Sequence, residues 1–507
     1  MKMAMRLFLG SAAGLIAVSG AQAADLPVKA KAIEYVKVCS LYGAGFYYIP
    51  GTDTCIKLGG YLRAETAFAS NSVFDSPNTG VAGAHNRLSN YYYSKAREAL
   101  TIDTRTATEL GVVRTYFSGV FTWITGKYAG AGSTAVNGQT AYTTAVGSQI
   151  AGGSLGVYSA FIQFAGFTMG RAVSAFSAPW TNYPGNNFDG LAGGASFVTG
   201  VNQLTYTADF GQGITASFSA QDPISESGNI WNVSGATAAG LITGTYGAAD
   251  TGGSRAPDLI VAVRVDQAWG LFQASFAAHD NHTGYYGAAE TSGFAGDKWG
   301  WAGQLALSIK NIPTGPGDTI NMSGVYTNGA SIYNFHDLMT STFAMYGGTG
   351  LPGAYQSLGL AGVSDTVFVA GAGQELTTTY GFHGAYTHNW DPRWASSLYG
   401  SWAAVRYNDT AKGYICGAVV ASLALSSGVA GCNPNFNYAT VGVMTVWTPV
   451  KNLAFSADLA YTMLDQKYAS GSTVTAPLQA GIAKPAAVYE LKDQNSLVLL
   501  LRAQRNW

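Results

Sequence analysis

Charge is what this chain of 507 residues most lacks: Asp, Glu, Lys and Arg together make up 11% of it, against ~25% in typical soluble domains. A soluble surface built from so few charges would expose large apolar patches. Long apolar runs are missing as well. Past the N-terminus the longest is Leu497 to Leu501, far short of the ~18 residues a spanning helix needs, so a helical membrane protein is excluded. The formal net charge is −1, which offers no case for binding nucleic acid. Recognisable catalytic and cofactor motifs are scarce too. Gly348-Thr349-Gly350-Leu351-Pro352-Gly353 fits a dinucleotide pattern by letter, but Pro352 interrupts it and no helix follows. His279 and His282 read as a strand end entering a loop rather than a metal pair, and no Ser-His-Asp set follows from spacing. No cofactor and no metal are expected. What the chain does have is 48% apolar residues, 13% aromatics and 65 Gly, too apolar to remain unfolded. Two classes survive: a large extracellular β protein, or a barrel whose apolar face meets lipid.

The N-terminus reads as an export signal. Lys2 and Arg6 precede the apolar stretch Leu7 to Val18, which ends in Ala21-Gln22-Ala23. Residues 1–23 are therefore a predicted signal peptide, and cleavage after Ala23 would leave 25 basic residues against 28 acidic ones. The four cysteines fall in two pairs of equal spacing, Cys39/Cys55 and Cys416/Cys432. Local disulfides suit an oxidising periplasm. Zinc is the rival reading, with no nearby His to complete a site.

Segments of ~10 residues with alternating character recur along the chain, the pattern of a transmembrane β-strand. In 202–210, Leu204, Tyr206, Ala208 and Phe210 alternate with Gln203, Thr205, Thr207 and Asp209. The same holds for 257–267, 299–310 and 452–464. A period of two puts each set on one face, and charge on the opposite face then needs water inside. Seven short turns rich in Gly, Pro or Asn (106–108, 165–166, 211–213, 268–270, 311–317, 389–393 and 449–451) alternate with eight long stretches, near 69–93, 122–154, 177–201, 223–256, 281–297, 328–373, 408–434 and 465–493. Fifteen connections make sixteen strands. Sorting the connections by length suits a barrel between two unlike compartments, with tight periplasmic turns and long extracellular loops. The fold class is all-β: a 16-stranded antiparallel transmembrane β-barrel over 56–507, preceded by an N-terminal periplasmic-side segment, 24–55. Leu497, Leu499, Leu501 and Ala503 share a phase with Arg505 and the terminal Trp507.

Val38-Cys39-Ser40-Leu41-Tyr42-Gly43-Ala44-Gly45-Phe46-Tyr47-Tyr48-Ile49-Pro50-Gly51-Thr52-Asp53-Thr54-Cys55, followed by Ile56-Lys57-Leu58-Gly59-Gly60-Tyr61, resembles the start of the general porins of alphaproteobacteria. The segment from Ala160 to Arg171 and the ending Leu501-Arg502-Ala503-Gln504-Arg505-Asn506-Trp507 are similar to further parts of that family, whose usual last residue is Phe. The resemblance implies a homotrimer of sixteen-stranded, water-filled barrels in the outer-membrane lipid, with the third long loop folded inward as a constriction.

Charged rings at a constriction filter by sign as well as width. Strand phase puts Lys57, Tyr61, Arg63 and Glu65 on one face of the first strand. It puts Lys95, Arg97, Thr101, Asp103 and Arg105 inward on the second, and Arg114 and Tyr116 inward on the third. Arg63, Arg97 and Arg114 are predicted to form a pore-lining cluster with Arg171 joining them; the alternative is that they brace loops through ion pairs. Asp189 in the third loop is predicted to face them and set a transverse field, giving a mild anion preference as a hypothesis. Glu98 falls on the outward phase, at a subunit interface or a bulge. Gly111, Thr115, Thr168, Gly170 and Ser174 read as small outward residues of a trimer face. The expected function is passive diffusion of small hydrophilic solutes and ions, not catalysis. The alternatives are an outer-membrane barrel enzyme, such as a lipase or protease, and a secreted adhesin.

Overall fold

The computed structural model describes residues 37–69, 86–87, 92–124, 149–150, 153–181, 185–188, 191–195, 199–223, 228–244, 246–335, 342–480 and 483–507. Sixteen of its strands form one closed antiparallel barrel. In chain order they are β1 (Thr54–Ala69), β2 (Tyr92–Thr108), β3 (Gly111–Ile124), β4 (Gly153–Phe164), β5 (Phe167–Ala172), β6 (Val201–Asp209), β7 (Ile214–Gln221) and β8 (Asp258–Gln267). They continue as β9 (Gly270–Asn281), β10 (Lys298–Lys310), β11 (Thr319–Asn328), β12 (Thr378–Asp391), β13 (Trp394–Arg406), β14 (Phe436–Val450), β15 (Leu453–Gln466) and β16 (Gln494–Asn506). Each strand pairs with the next, and β16 closes on β1 from Tyr61 opposite Asn506 to Ala69 opposite Val498. No sheet edge is left open, which a lipid environment requires of every backbone donor and acceptor. Six of the seven predicted short turns join consecutive strands; residues 106–108 instead end β2, and Glu109-Leu110 make the turn to β3. Ala165-Gly166 has both φ angles positive (49° and 85°), the geometry that matches the twist of a two-residue hairpin.

Alternation decides which side each residue takes. Leu58, Leu62, Leu204, Tyr206, Phe218, Val261, Leu305, Phe382, Leu398, Val443, Leu459, Leu497 and Leu501 all lie exposed on the outer surface. Among the described residues no second layer covers them, which suits a surface that meets hydrocarbon. Aromatics gird this band at two heights. Phe276, Trp301, Tyr326, Tyr380 and Trp402 form a continuous row near the long-loop end. Trp394, Trp447 and Phe455 form another near the short turns. Trp394 and Trp402 are on one strand, ~26 Å apart at ~3.3 Å per residue, a separation suited to the apolar band of such a barrel. Leu497, Leu499, Leu501, Ala503 and Arg505 keep the single outward phase read from the sequence.

At the short-turn end, residues 37–53 tuck against the inner face. Tyr47–Tyr48 pairs with Ile56 and Cys55, and Cys39 is disulfide-bonded to Cys55. Phe46 is buried with both cysteines, and the Lys57 and Arg105 side chains lie over its ring at 5.8 and 4.9 Å. At the opposite end the long connections build a cap with its own core. Trp231, Leu241, Tyr246, Leu358, Leu360, Tyr407 and Tyr489 meet there from four loops. The cap contains a helix, Asp409–Leu423, capped by the Asn408 side chain. It buries Ala411, Ile415, Val419 and Leu423 at a spacing of four, one face of an α-helix, and Cys416–Cys432 ties it to the following turn. The predicted signal peptide lies outside the described residues.

Candidate functional site: the inner wall and its inward loop

The connection after β5 does not leave the barrel. It crosses the interior and is held there by side chains of the far wall. Gln273 on β9 donates from Nε2 to the carbonyls of Ala175, Phe176 and Ser177 at 3.1–3.2 Å. Gln304 on β10 brackets Ala195, accepting from its N–H and donating to its carbonyl at 2.9 Å. Gly193 comes so close to β12 that a Cβ there would overlap the Phe382 backbone, and its φ of +104° is one that side chains resist. Further along, the Asn187 N–H donates to Asp458 at 2.6 Å, and Arg502 on β16 donates to the Asn187 side chain at 2.8 Å. Phe188 and Leu191 are fully buried against Ala67, Tyr399, Val498 and Leu500. The loop thus spans the lumen from β9 to β16.

The wall across from it is β1 to β4, which it meets at Ala67 on β1. Register sets Arg63 directly opposite Arg97, and Arg105 directly opposite Arg114. Like charges facing across a ladder repel, and an acid relieves each pair. Glu65 lies 2.7 Å from Lys95 and 3.8 Å from Arg63, and is also paired with Arg502. Asp103 takes Arg105 and Arg114, each at 3.0 Å. Arg63 Nε also donates to Gln504, Arg97 Nε to Thr122, and Arg114 Nη1 to Gln163. These contacts run from strand to strand, yet the Arg105 and Arg114 side chains keep 30% and 28% of their exposure. They brace the wall and still face the lumen.

The structure corrects several of these expectations. Arg63, Arg97 and Arg114 share the inward phase, but they form two tiers and not one cluster. On β3, Arg97 is level with Thr122, eight residues from Arg114 and therefore ~26 Å along the strand. Arg171 does not join them. It is in phase with Phe167 and Met169, which are exposed outward, and its Nε donates to the Val157 carbonyl at 2.9 Å. The same parity turns Thr168 and Gly170 inward, opposite Gln163 and Phe161, so neither belongs to an outer face. Asp189 lies outside the described residues. Glu98 is outward with no register shift on either side, which removes the bulge. His279 is not a loop residue: it is buried on β9, 2.7 Å from Asp258.

Seven inward cations of β16 and β1–β3 (Lys57, Arg63, Lys95, Arg97, Arg105, Arg114 and Arg502) face two acids, Glu65 and Asp103. Sequence reasoning had the phases of most of these. It missed Arg502, Gln273, Gln304 and the pairing of Asp458 with the loop, because those contacts join residues up to several hundred positions apart.

A model of the Porin subfamily matches residues 25–500. The porin Omp2b of Brucella canis is 36% identical over 214 residues, covering 41% of this chain and 51% of that protein. Omp2b of Brucella melitensis matches to the same extent. The chain therefore spans about half the length of the curated relatives it matches. Among solved structures, the outer membrane channel DcaP of Acinetobacter baumannii superposes with a TM-score of 0.57 at 14% identity, over 91% of this chain and 99% of that one, a likeness of fold.

Proposed function

The chain belongs to the Porin subfamily and is an outer-membrane barrel, and from that membership we propose that it forms a water-filled channel for passive diffusion of small hydrophilic solutes and ions, working as a homotrimer. The observation that carries this reading is the inward loop held against β9–β16, opposite a wall of paired but lumen-facing arginines. A packed core would leave no room for hydrated charge, whereas a constriction lined this way sorts solutes by size and sign. The upper tier, with Arg63 and Arg97, stands at the narrow part beside the loop. The lower tier, with Arg105 and Arg114, lines the periplasmic side. The seven-to-two excess of positive charge favours anions. Asp189, in the same loop by sequence, is proposed as the opposing charge.

Planar bilayers test the reading. The purified chain is expected to give stepwise conductance in groups of three, with a reversal potential in a salt gradient on the anion-selective side. Clear cation selectivity overturns the charge assignment. No channels at all overturns the pore. Gel mobility before and after heating checks the trimer.

A further inference from the structure

A second feature of the lumen stands apart from the two tiers. Arg264 on β8 points inward, opposite Gln273, into a cavity of about 320 Å³ enclosed by β4–β9 and the stem of the inward loop. Among the residues lining that cavity Arg264 is the one charge, and no Asp or Glu is among them. Asp266, two residues on, attracts Arg264 through space but makes its ion pair with Lys310, at 3.8 Å.

The guanidinium is held by neutral groups on two sides. Its Nε and Nη2 both donate to Gln273 Oε1, at 2.9 and 2.8 Å. The Gln273 amide cannot turn away, because its nitrogen is committed to three loop carbonyls. Trp180 packs its ring against the guanidinium, 5.0 Å from its carbon, and its buried indole N–H has no acceptor among the described residues. Arginine carries five N–H donors. Two are used here, so three remain without a protein acceptor among the described residues. Hydroxyls of Thr207, Thr215 and Ser217 line the same space.

We propose that this cavity is a binding subsite for small oxyanions, carboxylate or phosphate, passing through the pore. A planar fork of donors pre-set by stacking matches an oxyanion, and a guanidinium without a carboxylate partner gains most from one. Hydroxyl donors complete the shell without adding competing negative charge. The subsite is continuous with the lower tier. Phe161 and Gln163 border the cavity, and both touch Arg114, whose guanidinium lies 5.5 Å from the Phe161 ring. An anion leaving Arg264 therefore meets Arg114 next. The inference rests on the channel reading above.

The test uses the full chain in planar bilayers in potassium chloride, with inorganic phosphate as the probe. Wild type is expected to show a saturable fall in chloride current. Arg264→Gln should raise the half-blocking concentration about ten-fold, the scale of a lost charged hydrogen bond. Arg264→Lys should retain part of the block, and Ser217→Ala should weaken it about three-fold, a smaller neutral loss. Arg171→Gln removes the same charge from the outer face and should leave the block as in wild type. Should Arg264→Gln yield no channels, Ser217→Ala carries the test. Block unchanged in Arg264→Gln or Ser217→Ala, or weakened equally by Arg171→Gln, overturns the subsite and leaves the pore standing. Block by glucose but not phosphate overturns it too. Absence of conductance from wild type overturns the pore reading and this subsite with it.

Discussion

The two halves of the inner wall use opposite chemistry. From β16 to β3 the inward side chains are charged and bonded to each other, Glu65 pairing with Arg63, Lys95 and Arg502, and Asp103 with Arg105 and Arg114. From β9 to β12 they are mostly neutral, Gln273, Gln304, Ser323 and His383, and the first two bond to loop backbone. The difference teaches how a barrel can hold a loop inside itself without closing. Amides satisfy backbone groups at no cost in net charge, so the loop's stem beds on the neutral half, and only at Asn187 does it meet the charges of Asp458 and Arg502. The charged half prefers its own counter-ions and water, since stripping hydration from unpaired guanidinium groups is expensive. The open path is left along the side that binds water best.

Experiments can break or sharpen this contrast. The largest effect is expected in the charged half. Glu65→Gln leaves the buried Lys95 and Arg502 without their acid and should cost about 3–5 kcal/mol, the range for breaking a buried pair. Urea or heat denaturation of folded trimers would show it, and the surviving channels should be more anion-selective. Outside both halves, Cys416→Ser with Cys432→Ser should cost the cap about 3 kcal/mol, as expected for a closed loop of this size. That loss would show as earlier proteolysis within 409–432, with the barrel transition unmoved. If the barrel destabilises equally, cap and barrel are one cooperative unit. In the neutral half, Gln304→Ala takes the acceptor from the Ala195 N–H and leaves its carbonyl only the long bond from the Ala178 N–H, and should cost about 2 kcal/mol. Its signature differs from that of Glu65→Gln: noisier, larger single-channel currents with selectivity nearly unchanged.

The smallest effect concerns pH at the periplasmic end of the neutral half. Asp318, in the turn before β11, is buried. Burial alone would raise its pKa, but Thr314, the Asn389 N–H, His388 and Tyr386 all bond its carboxylate and hold it well below the usual range. A depressed carboxylate contributes stability above its unfolded pKa, near ~4, and loses it as pH falls through the folded value. Wild type should therefore lose stability as the pH drops from about 4 downward. Asp318→Asn should be less stable than wild type at pH 7, with the gap closing in acid. An equal gap at both pH values would show that the turn owes nothing to the ionised carboxylate.

The sequence by itself determined the barrel. A period of two and connections sorted by length need only local information, because lipid and water act on each strand separately, and the same alternation put Arg63, Arg97 and Arg114 on the wet side. Arg171 was misplaced because its charge was assigned to the wet side against the phase of its apolar neighbours Phe167 and Met169, and one residue of phase error sends a side chain to the other face. What only the tertiary structure decided is who meets whom inside: Glu65 with Arg502, Asn187 with Asp458, and Arg264 with Trp180. These partners lie far apart in the chain, and their meeting depends on barrel closure and on where the loop comes to rest. Strand phase chooses a side of the wall for each residue; only the closed barrel chooses its neighbours.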